Sequence, residues 1–286
     1  MFNRLASSAF APTVAFVLLW SSGAIVSKIG LAHGSPFAIL TIRYAIALAV
    51  LSAIALRTGR LLPTRESWPR VALIGFLITG IYTICYLLAL SHGITPGALV
   101  TLLGVQPILT ALLTERRVGP LRIAGLLCAF AGLSLVVWDG LVHARITVPG
   151  LGIAVLSLLG MTFGSIVQKR ETQAPWVVLP MQYAVGLVLC CAMLPFEPFR
   201  MEWSLGFVLP VLWLSLGLSV GATFLLYRLI ARGNLVNVTS LFYLIPAVTA
   251  LLDWLILGNP MSPIAMAGLT AIIAGLALVF RQRSAA

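Results

Sequence analysis

The sequence predicts an all-α integral membrane protein with ten transmembrane helices, arranged as two inverted five-helix repeats with both termini in the cytoplasm. Three observations lead to this fold class. The composition is that of a chain surrounded by lipid, apolar runs of membrane-spanning length follow one another along it, and one sequence pattern occurs twice. Together they describe a single membrane domain with no linker long enough to hold a soluble domain.

The composition excludes an ordinary soluble domain. Of the 286 residues, 60% are hydrophobic and only 9% are charged, whereas a soluble domain usually carries about a quarter charged residues. The net charge of +11 would favour nucleic acid binding in a soluble protein. Here the basic residues lie in short segments between apolar runs, which is typical of membrane orientation signals. We therefore expect contact with anionic lipid headgroups and no nucleic-acid partner.

Each apolar run is close to the length of about 20 residues that a transmembrane helix needs. The breaks between the runs carry glycine, proline or charged residues, which end helices. No small-residue cleavage site follows the first run, so we expect it to be a retained helix rather than a signal peptide. The predicted spans are 12–31, 36–56, 70–90, 97–114, 120–138, 149–168, 176–195, 206–227, 235–257 and 263–280.

The distribution of lysine and arginine predicts the orientation. An even number of spans places both termini on the same side of the membrane. With the termini in the cytoplasm, fourteen basic residues face inside and only Arg145 and Arg200 face outside. The positive-inside rule favours this arrangement strongly. The remaining two cations, Lys28 and Arg43, lie within spans.

The pattern of 98–136 recurs at 237–279, and weaker matches extend it to the rest of the chain. Proline is rare inside helices, so an ordered match of prolines and glycines is not expected by chance. The matched residues are Gly23, Pro36, Tyr44, Leu102, Pro107, Thr110, Gly125 and Gly132 with Gly164, Pro175, Tyr183, Leu241, Pro246, Thr249, Gly268 and Gly275.

The repeat divides the chain into halves of 1–144 and 145–286, with five predicted spans in each. Because five is odd, the second half must enter the membrane from the opposite side. Inverted repeats of this kind are typical of transporters that alternate between two states, one open to each side. The glycines of spans 5 and 10 are expected to let these helices approach a neighbour closely, either within one chain or in a homodimer.

Several stretches together resemble the EamA-type drug/metabolite transporter superfamily. They are WSSGAIVSK in span 1, an arginine in span 2, QPILTALLTERR closing span 4, and AG followed six residues later by GLxLV in spans 5 and 10. Within that superfamily the chain looks most like the YddG-type exporters of aromatic and other amino acids. The resemblance implies a multi-pass protein of the bacterial inner membrane. Asn259 stands where many members have a glutamate, whereas Glu115 lies near the equivalent place in the first half.

A polar stripe on span 3 predicts a cavity inside the protein. Its members are spaced i, i+3, i+4 and i+7, so they share one helix face. They are Thr79, Tyr82, Thr83 and Tyr86. Aromatic interface belts are the alternative for such aromatics, but Tyr82 and Gln106 lie mid-span, where belts do not reach. Pro107 and Pro246 break their helices and leave backbone carbonyls without a donor. The predicted cavity residues are Trp20, Ser21, Thr79, Tyr82, Thr83, Tyr86, Gln106, Phe163 and Tyr243.

Charged residues within the spans allow two interpretations. Lys28 and Arg43 lie in the outer part of the membrane, and Asp253 is the acid at a similar depth. A charge in lipid is costly, so such residues face a cavity or a partner. Either a cation contacts the substrate carboxylate or gates the outer mouth, or the charges form a structural pair. Lys28 can also extend its amine to the interface.

The sequence indicates neither an enzyme nor a cofactor. It has no P-loop motif and no HExxH motif, and its four cysteines lie in apolar runs without CxxC spacing, so we expect no metal site. We predict a secondary transporter that exports amino acids by alternating access. The alternatives are an exporter of another metabolite or of a drug-like cation, and a membrane scaffold without transport. For the energy coupling of this transport, the two alternatives are proton antiport and facilitated diffusion.

Overall fold

The structure is a computed structural model that describes residues 2–92, 94–142, 147–196, 199–257 and 261–281. All regular secondary structure in the described chain is helical, apart from one isolated β-bridge between Gly34 and Met201. In this part, eight helices are long and apolar enough to cross a membrane, and Pro120–Val136 and Leu235–Leu251 are shorter apolar helices. The predicted all-helical membrane class is thereby confirmed, while the count of ten and the inverted arrangement stay predictions.

The helices follow the predicted spans, several of them in two pieces. They are α1 (Phe2–Leu31), α2 (Pro36–Arg57), α3 (Trp68–Ile74), α4 (Thr83–Ser91), α5 (Pro96–Leu103), α6 (Gln106–Thr114), α7 (Pro120–Val136), α8 (Trp138–Val142), α9 (Val148–Lys169), α10 (Pro175–Met193), α11 (Leu205–Trp213), α12 (Thr223–Arg232), α13 (Leu235–Ser240), α14 (Leu244–Leu257) and α15 (Pro263–Arg281).

Short polar residues and prolines fix where many helices begin. The hydroxyl groups of Ser35 and Thr95 accept the amides three residues on, and a proline follows each of them at the first helical position. The Asn234 side chain accepts the Asn237 amide in the same way at the start of α13. Side-chain caps satisfy amides that the first helical turn leaves free, and proline at that position has no amide to satisfy.

Two π-helical segments interrupt long helices. The segment π1 (Gly75–Tyr82) lies between α3 and α4, and π2 (Leu214–Ala222) lies between α11 and α12. A π turn is wider than an α turn; such turns are rare and frequently lie at functional sites. The wide turns separate helical pieces that the sequence predicts as single uninterrupted spans.

The chain folds into two compact units. The first comprises the chain up to Ile84 together with Val167–Arg232, and the second comprises Cys85–Ile166 together with the chain from Gly233 onwards. Each unit therefore contains helices from both of the predicted repeats. In the first unit α2 packs against α10, and the rings of Tyr44 and Tyr183 meet edge to face with centroids 5.3 Å apart.

In the second unit α7 packs against α15 through glycines. A Cβ atom on Gly125 would lie 2.7 Å from the carbonyl oxygen of Gly275, and one on Gly132 would lie 2.6 Å from that of Gly268. Because the residue number rises along one helix as it falls along the other, the two helices are antiparallel. Only glycine permits this backbone separation, as expected where small residues line a helix contact.

Replacing one of these glycines with alanine is expected to destabilise the fold. In Gly132→Ala the added methyl group meets the backbone of α15, and overpacking of this kind typically costs about 1–3 kcal/mol. Gly152→Ala is the matched control, because nothing lies within 4 Å of a Cβ there. Thermal unfolding in detergent should show a lower midpoint for the first variant alone. Equal midpoints would contradict the close approach of α7 and α15.

Candidate substrate site

Pro107 and its counterpart Pro246 lie where a helix is interrupted. In the first half α5 ends at Leu103, and α6 begins at Gln106 with Pro107 in its first turn. In the second half α13 ends at Ser240, and the short 3-10 turn Leu241–Tyr243 leads into α14, which contains Pro246. Proline has no amide hydrogen to donate, so at each break a backbone carbonyl lacks its usual helical donor and can accept a hydrogen bond from another group. Irregular backbone at membrane depth is tolerated where protein or a wet cavity surrounds it.

Two side chains beside these breaks carry buried polar atoms without a partner. Gln106 is 3% exposed and Tyr243 is completely buried. In the described part of the chain neither the amide nitrogen Nε2 of Gln106 nor the hydroxyl of Tyr243 makes a hydrogen bond. The large majority of buried polar atoms in proteins are hydrogen-bonded, and leaving one unsatisfied costs about 1–3 kcal/mol. Both groups belong to the second unit, and each has a hydrogen-bonding capacity that the described residues do not use.

A buried polar network of the first unit contrasts with these two residues. Gln182 accepts a hydrogen bond from the Tyr227 hydroxyl at 2.6 Å and donates one to the Gln168 side chain at 3.3 Å. All three side chains are buried. Their polar atoms satisfy one another, so the network stabilises helix packing. Sequence analysis missed it, although glutamines within two predicted spans were a visible signal.

In the predicted polar stripe, the two threonines make hydrogen bonds to backbone carbonyls, and the two tyrosine rings are partly exposed. The Thr79 hydroxyl lies 2.6 Å from the Gly75 carbonyl oxygen and 2.8 Å from that of Gln182, and Thr83 donates to the Ile78 carbonyl at 3.0 Å. Tyr82 is half-buried in the first unit. Tyr86 belongs to the second unit, where it packs against a small apolar cluster. The two threonines are thus engaged in holding the helix backbone.

The remaining aromatic and hydroxyl candidates lie on two different helices. On α1, Ser21 is fully buried and the Trp20 ring lies 5.3 Å from that of Phe16. The neighbouring Ser22 hydroxyl accepts a hydrogen bond from the Trp213 indole at 2.8 Å. Phe163 lies on α9 in the second unit and is 44% exposed. Exposure of this size leaves the cavity role of Phe163 a prediction.

Arg43 bonds to a hydroxyl group rather than to a described acid. Its Nε donates to the Ser219 hydroxyl at 2.7 Å, and its guanidinium carbon lies 6.0 Å from the centroid of the Tyr44 ring. Among the side chains that the structure describes, no carboxylate forms an ion pair with it. The side chains of Lys28 and Asp253 lie outside the described residues, so the predicted pairing with Asp253 stays a prediction.

Arg122, one of the fourteen basic residues that the sequence places on the cytoplasmic side, is buried and joins α7 to the start of α13 in the second unit. Arg122 is 1% exposed, and its Nη2 donates to the side-chain oxygens of Asn234 and Asn237 at 2.6 and 2.8 Å. Glu115 lies 3.2 Å from the same nitrogen. A buried charge that is paired in this way is structural, because separating the pair leaves an uncompensated charge. Its position at the first turn of a helix gave no signal of burial.

The described residues contain no group of three or more histidine, cysteine, aspartate or glutamate side chains able to hold a metal ion. Gln106 Nε2 and the Tyr243 hydroxyl supply neutral hydrogen-bonding groups inside a multi-pass helical protein. Neutral hydrogen-bonding groups beside broken helices in a multi-pass helical protein are the arrangement expected of a membrane carrier.

The comparisons with known proteins agree with this class. The sequence matches the model of the EamA-like transporter family twice, over residues 9–138 and 148–281. It is 24% identical over 272 residues to the uncharacterized transporter YvbV of Bacillus subtilis (strain 168), covering 92% of this chain and 88% of that protein. One protein of known crystal structure superposes with a TM-score of 0.79 at 24% identity, over 95% of this chain and 96% of that one, and shares the fold.

The chain therefore belongs to the EamA-like transporter family. It is a multi-pass membrane transporter and not an enzyme, and its partners are a small-molecule solute and the lipid bilayer. The predicted superfamily is confirmed. The matches do not extend to the YddG-type subtype or to an amino acid substrate.

Two tyrosine-to-phenylalanine substitutions should differ in their effect on stability. Tyr227→Phe removes the donor to buried Gln182 and leaves an unsatisfied oxygen, which costs about 1–3 kcal/mol. Tyr243→Phe removes a hydroxyl that has no partner, so the unfolding midpoint should stay the same or rise. Thermal unfolding of both variants in one detergent provides the measurement. A drop for Tyr243→Phe as large as that for Tyr227→Phe would show that the Tyr243 hydroxyl does have a partner within the protein.

Proposed function

We propose that the protein exports amino acids, both aromatic and other neutral ones, across the bacterial inner membrane as a secondary transporter. The observation that carries this proposal is the pair of buried polar groups without partners, Gln106 Nε2 and the Tyr243 hydroxyl. Both are neutral hydrogen-bond donors. A solute carboxylate accepts hydrogen bonds from such donors strongly, because a charged acceptor strengthens the bond.

The charges described within the helices favour a solute without net charge. Arg43 bonds to Ser219, Lys169 donates to the carbonyl groups of Ile230 and Ala231, and Arg122 is paired with Glu115. A phosphorylated solute requires several cations free to contact it, and a drug-like cation requires a free acid. The carboxylate of a zwitterionic amino acid accepts hydrogen bonds from the neutral donors, and the molecule as a whole carries no net charge that needs a cluster of cations or a free acid. This supports an amino acid over the two rival solutes.

We further propose ten transmembrane helices as two inverted repeats, 1–144 and 145–286, with both termini in the cytoplasm. Counting the two shorter apolar helices with the eight long ones brings the number to ten. The antiparallel contact of α7 with α15 supports inversion, because these helices carry the matched glycines. Alternating access follows from such symmetry when the two halves exchange conformations. Flux with and without an imposed pH gradient distinguishes proton antiport from facilitated diffusion.

Transport by the purified chain in proteoliposomes tests the substrate class. The panel comprises labelled aromatic and aliphatic amino acids, a cationic dye and a sugar phosphate. We expect flux of labelled amino acids, and we expect added unlabelled aromatic amino acids to inhibit it competitively. In Gln106→Leu and in Tyr243→Phe we expect KM to rise roughly tenfold or more, because each variant loses a hydrogen bond to a charged group.

Thr270→Ala is the control for these variants. Its hydroxyl bonds to the Met266 carbonyl on an exposed helix face, so its flux should equal that of the unchanged protein. Flux of the dye or the sugar phosphate in place of amino acids would reject the amino acid assignment. Unchanged KM in both site variants would reject the site while leaving the substrate class standing, and no flux from folded protein would favour the scaffold alternative.

A further inference from the structure

Each of the two π-helical segments is held by a tyrosine from another helix. The Tyr44 hydroxyl on α2 donates to the Thr79 carbonyl in π1 at 2.7 Å. The Tyr183 hydroxyl on α10 donates to the Ser219 carbonyl in π2 at 2.9 Å. Both tyrosines are buried, and they are matched positions of the sequence repeat. The same contact therefore occurs twice within the first unit.

Each tyrosine replaces a backbone donor that the wide turn has diverted. In an α-helix the amide four residues later would bond to the carbonyl in question. The Thr83 amide instead donates to the Gly80 carbonyl, and the Thr223 amide donates to the carbonyls of Leu218 and Val220. The hydroxyls of both threonines reach carbonyls five residues back, on Ile78 and Leu218. A carbonyl left without a donor in lipid is costly, so the tyrosine hydroxyl stabilises the π register.

The residue that precedes each tyrosine holds the π segment of the other half. Arg43 precedes Tyr44 and donates to the Ser219 hydroxyl in π2. Gln182 precedes Tyr183, and its carbonyl lies 2.8 Å from the Thr79 hydroxyl in π1. Each segment is thus held from both α2 and α10, and the contact between the two tyrosine rings joins the two sets of bonds.

We propose that Tyr44 and Tyr183 are positioning residues for transport, each of which sets the register of one π segment. Exchange between π and α register changes the carbonyl to which each amide donates, and it rotates the helix beyond the segment relative to the helix before it. The two segments belong to opposite halves of the repeat. Release of π1 therefore favours opening toward one side of the membrane, and release of π2 favours opening toward the other. This inference rests on the alternating access proposed above.

Hydrogen exchange of the full chain in lipid nanodiscs tests the local part of the inference. Tyr44→Phe should speed amide exchange in and just after Gly75–Tyr82 by about tenfold, the effect of losing one hydrogen bond, and should leave Leu214–Ala222 unchanged. Tyr183→Phe should give the reverse pattern. Tyr227→Phe is the control, because its hydroxyl bonds to a side chain and not to either π segment. Equal acceleration of both segments by either variant, or acceleration of neither, would overturn the inference.

Labelling of a single cysteine from each side of the membrane tests the link to opening. The four native cysteines Cys85, Cys128, Cys190 and Cys191 are replaced, and Ser21→Cys supplies a reporter at a fully buried site on α1. With a membrane-impermeant thiol reagent, Tyr44→Phe and Tyr183→Phe should shift the ratio of outside to inside labelling in opposite directions. The double variant should restore the original ratio.

If the two tyrosines only stabilise the fold, both single variants should shift the labelling ratio in the same direction, and the double variant should shift it further. That result would contradict the proposal. Lack of labelling from either side in every variant would contradict the link between the π segments and opening. Neither measurement uses a solute. Failure here with amino acid flux intact would leave the proposed function standing, whereas success here without such flux would reject only the substrate assignment.

Discussion

The absence of water around a membrane helix is the constraint on which the structure depends. Every backbone carbonyl that leaves the regular helical pattern must find a donor inside the protein. Hydroxyl side chains are among the donors here, such as Thr83 to the Ile78 carbonyl and Thr223 to the Leu218 carbonyl. Where the helix widens, tyrosine hydroxyls from neighbouring helices take over that role. The irregular turns thus persist because their polar groups are satisfied from another helix.

The two halves share a backbone plan but differ in their charges. Arg43 and Gln182 each precede a matched tyrosine, so a cation stands in one half where a neutral amide stands in the other. Arg122 is the third residue of α7, and Ala265 is the third residue of α15, the helix that carries the matching glycines. Under the alternating access proposed above, unequal charges in the two halves give the two states different free energies, and this difference sets which state the protein occupies without a solute.

Patterns along the sequence predicted the helical membrane class and the family. They did so because apolar run length and repeated prolines and glycines are properties of the chain itself. The spacing of Gly125 and Gly132 and of their counterparts predicted that α7 and α15 each approach a neighbour closely, but that they approach one another became visible only in the fold. The two π segments were not predicted. Their widening depends on donors from distant helices, and no local signal in Gly75–Tyr82 encodes the position of Tyr44.

The glycine contact between α7 and α15 has a consequence for the evolution of the gene. Gly125 faces Gly275 and Gly132 faces Gly268, so each half supplies one member of both pairs. After duplication most positions of two copies are free to diverge independently. Here a larger residue in either copy disrupts the same packing, so selection on one half depends on what the other half has kept. The duplicated halves are expected to have stayed fused and to have retained these glycines together.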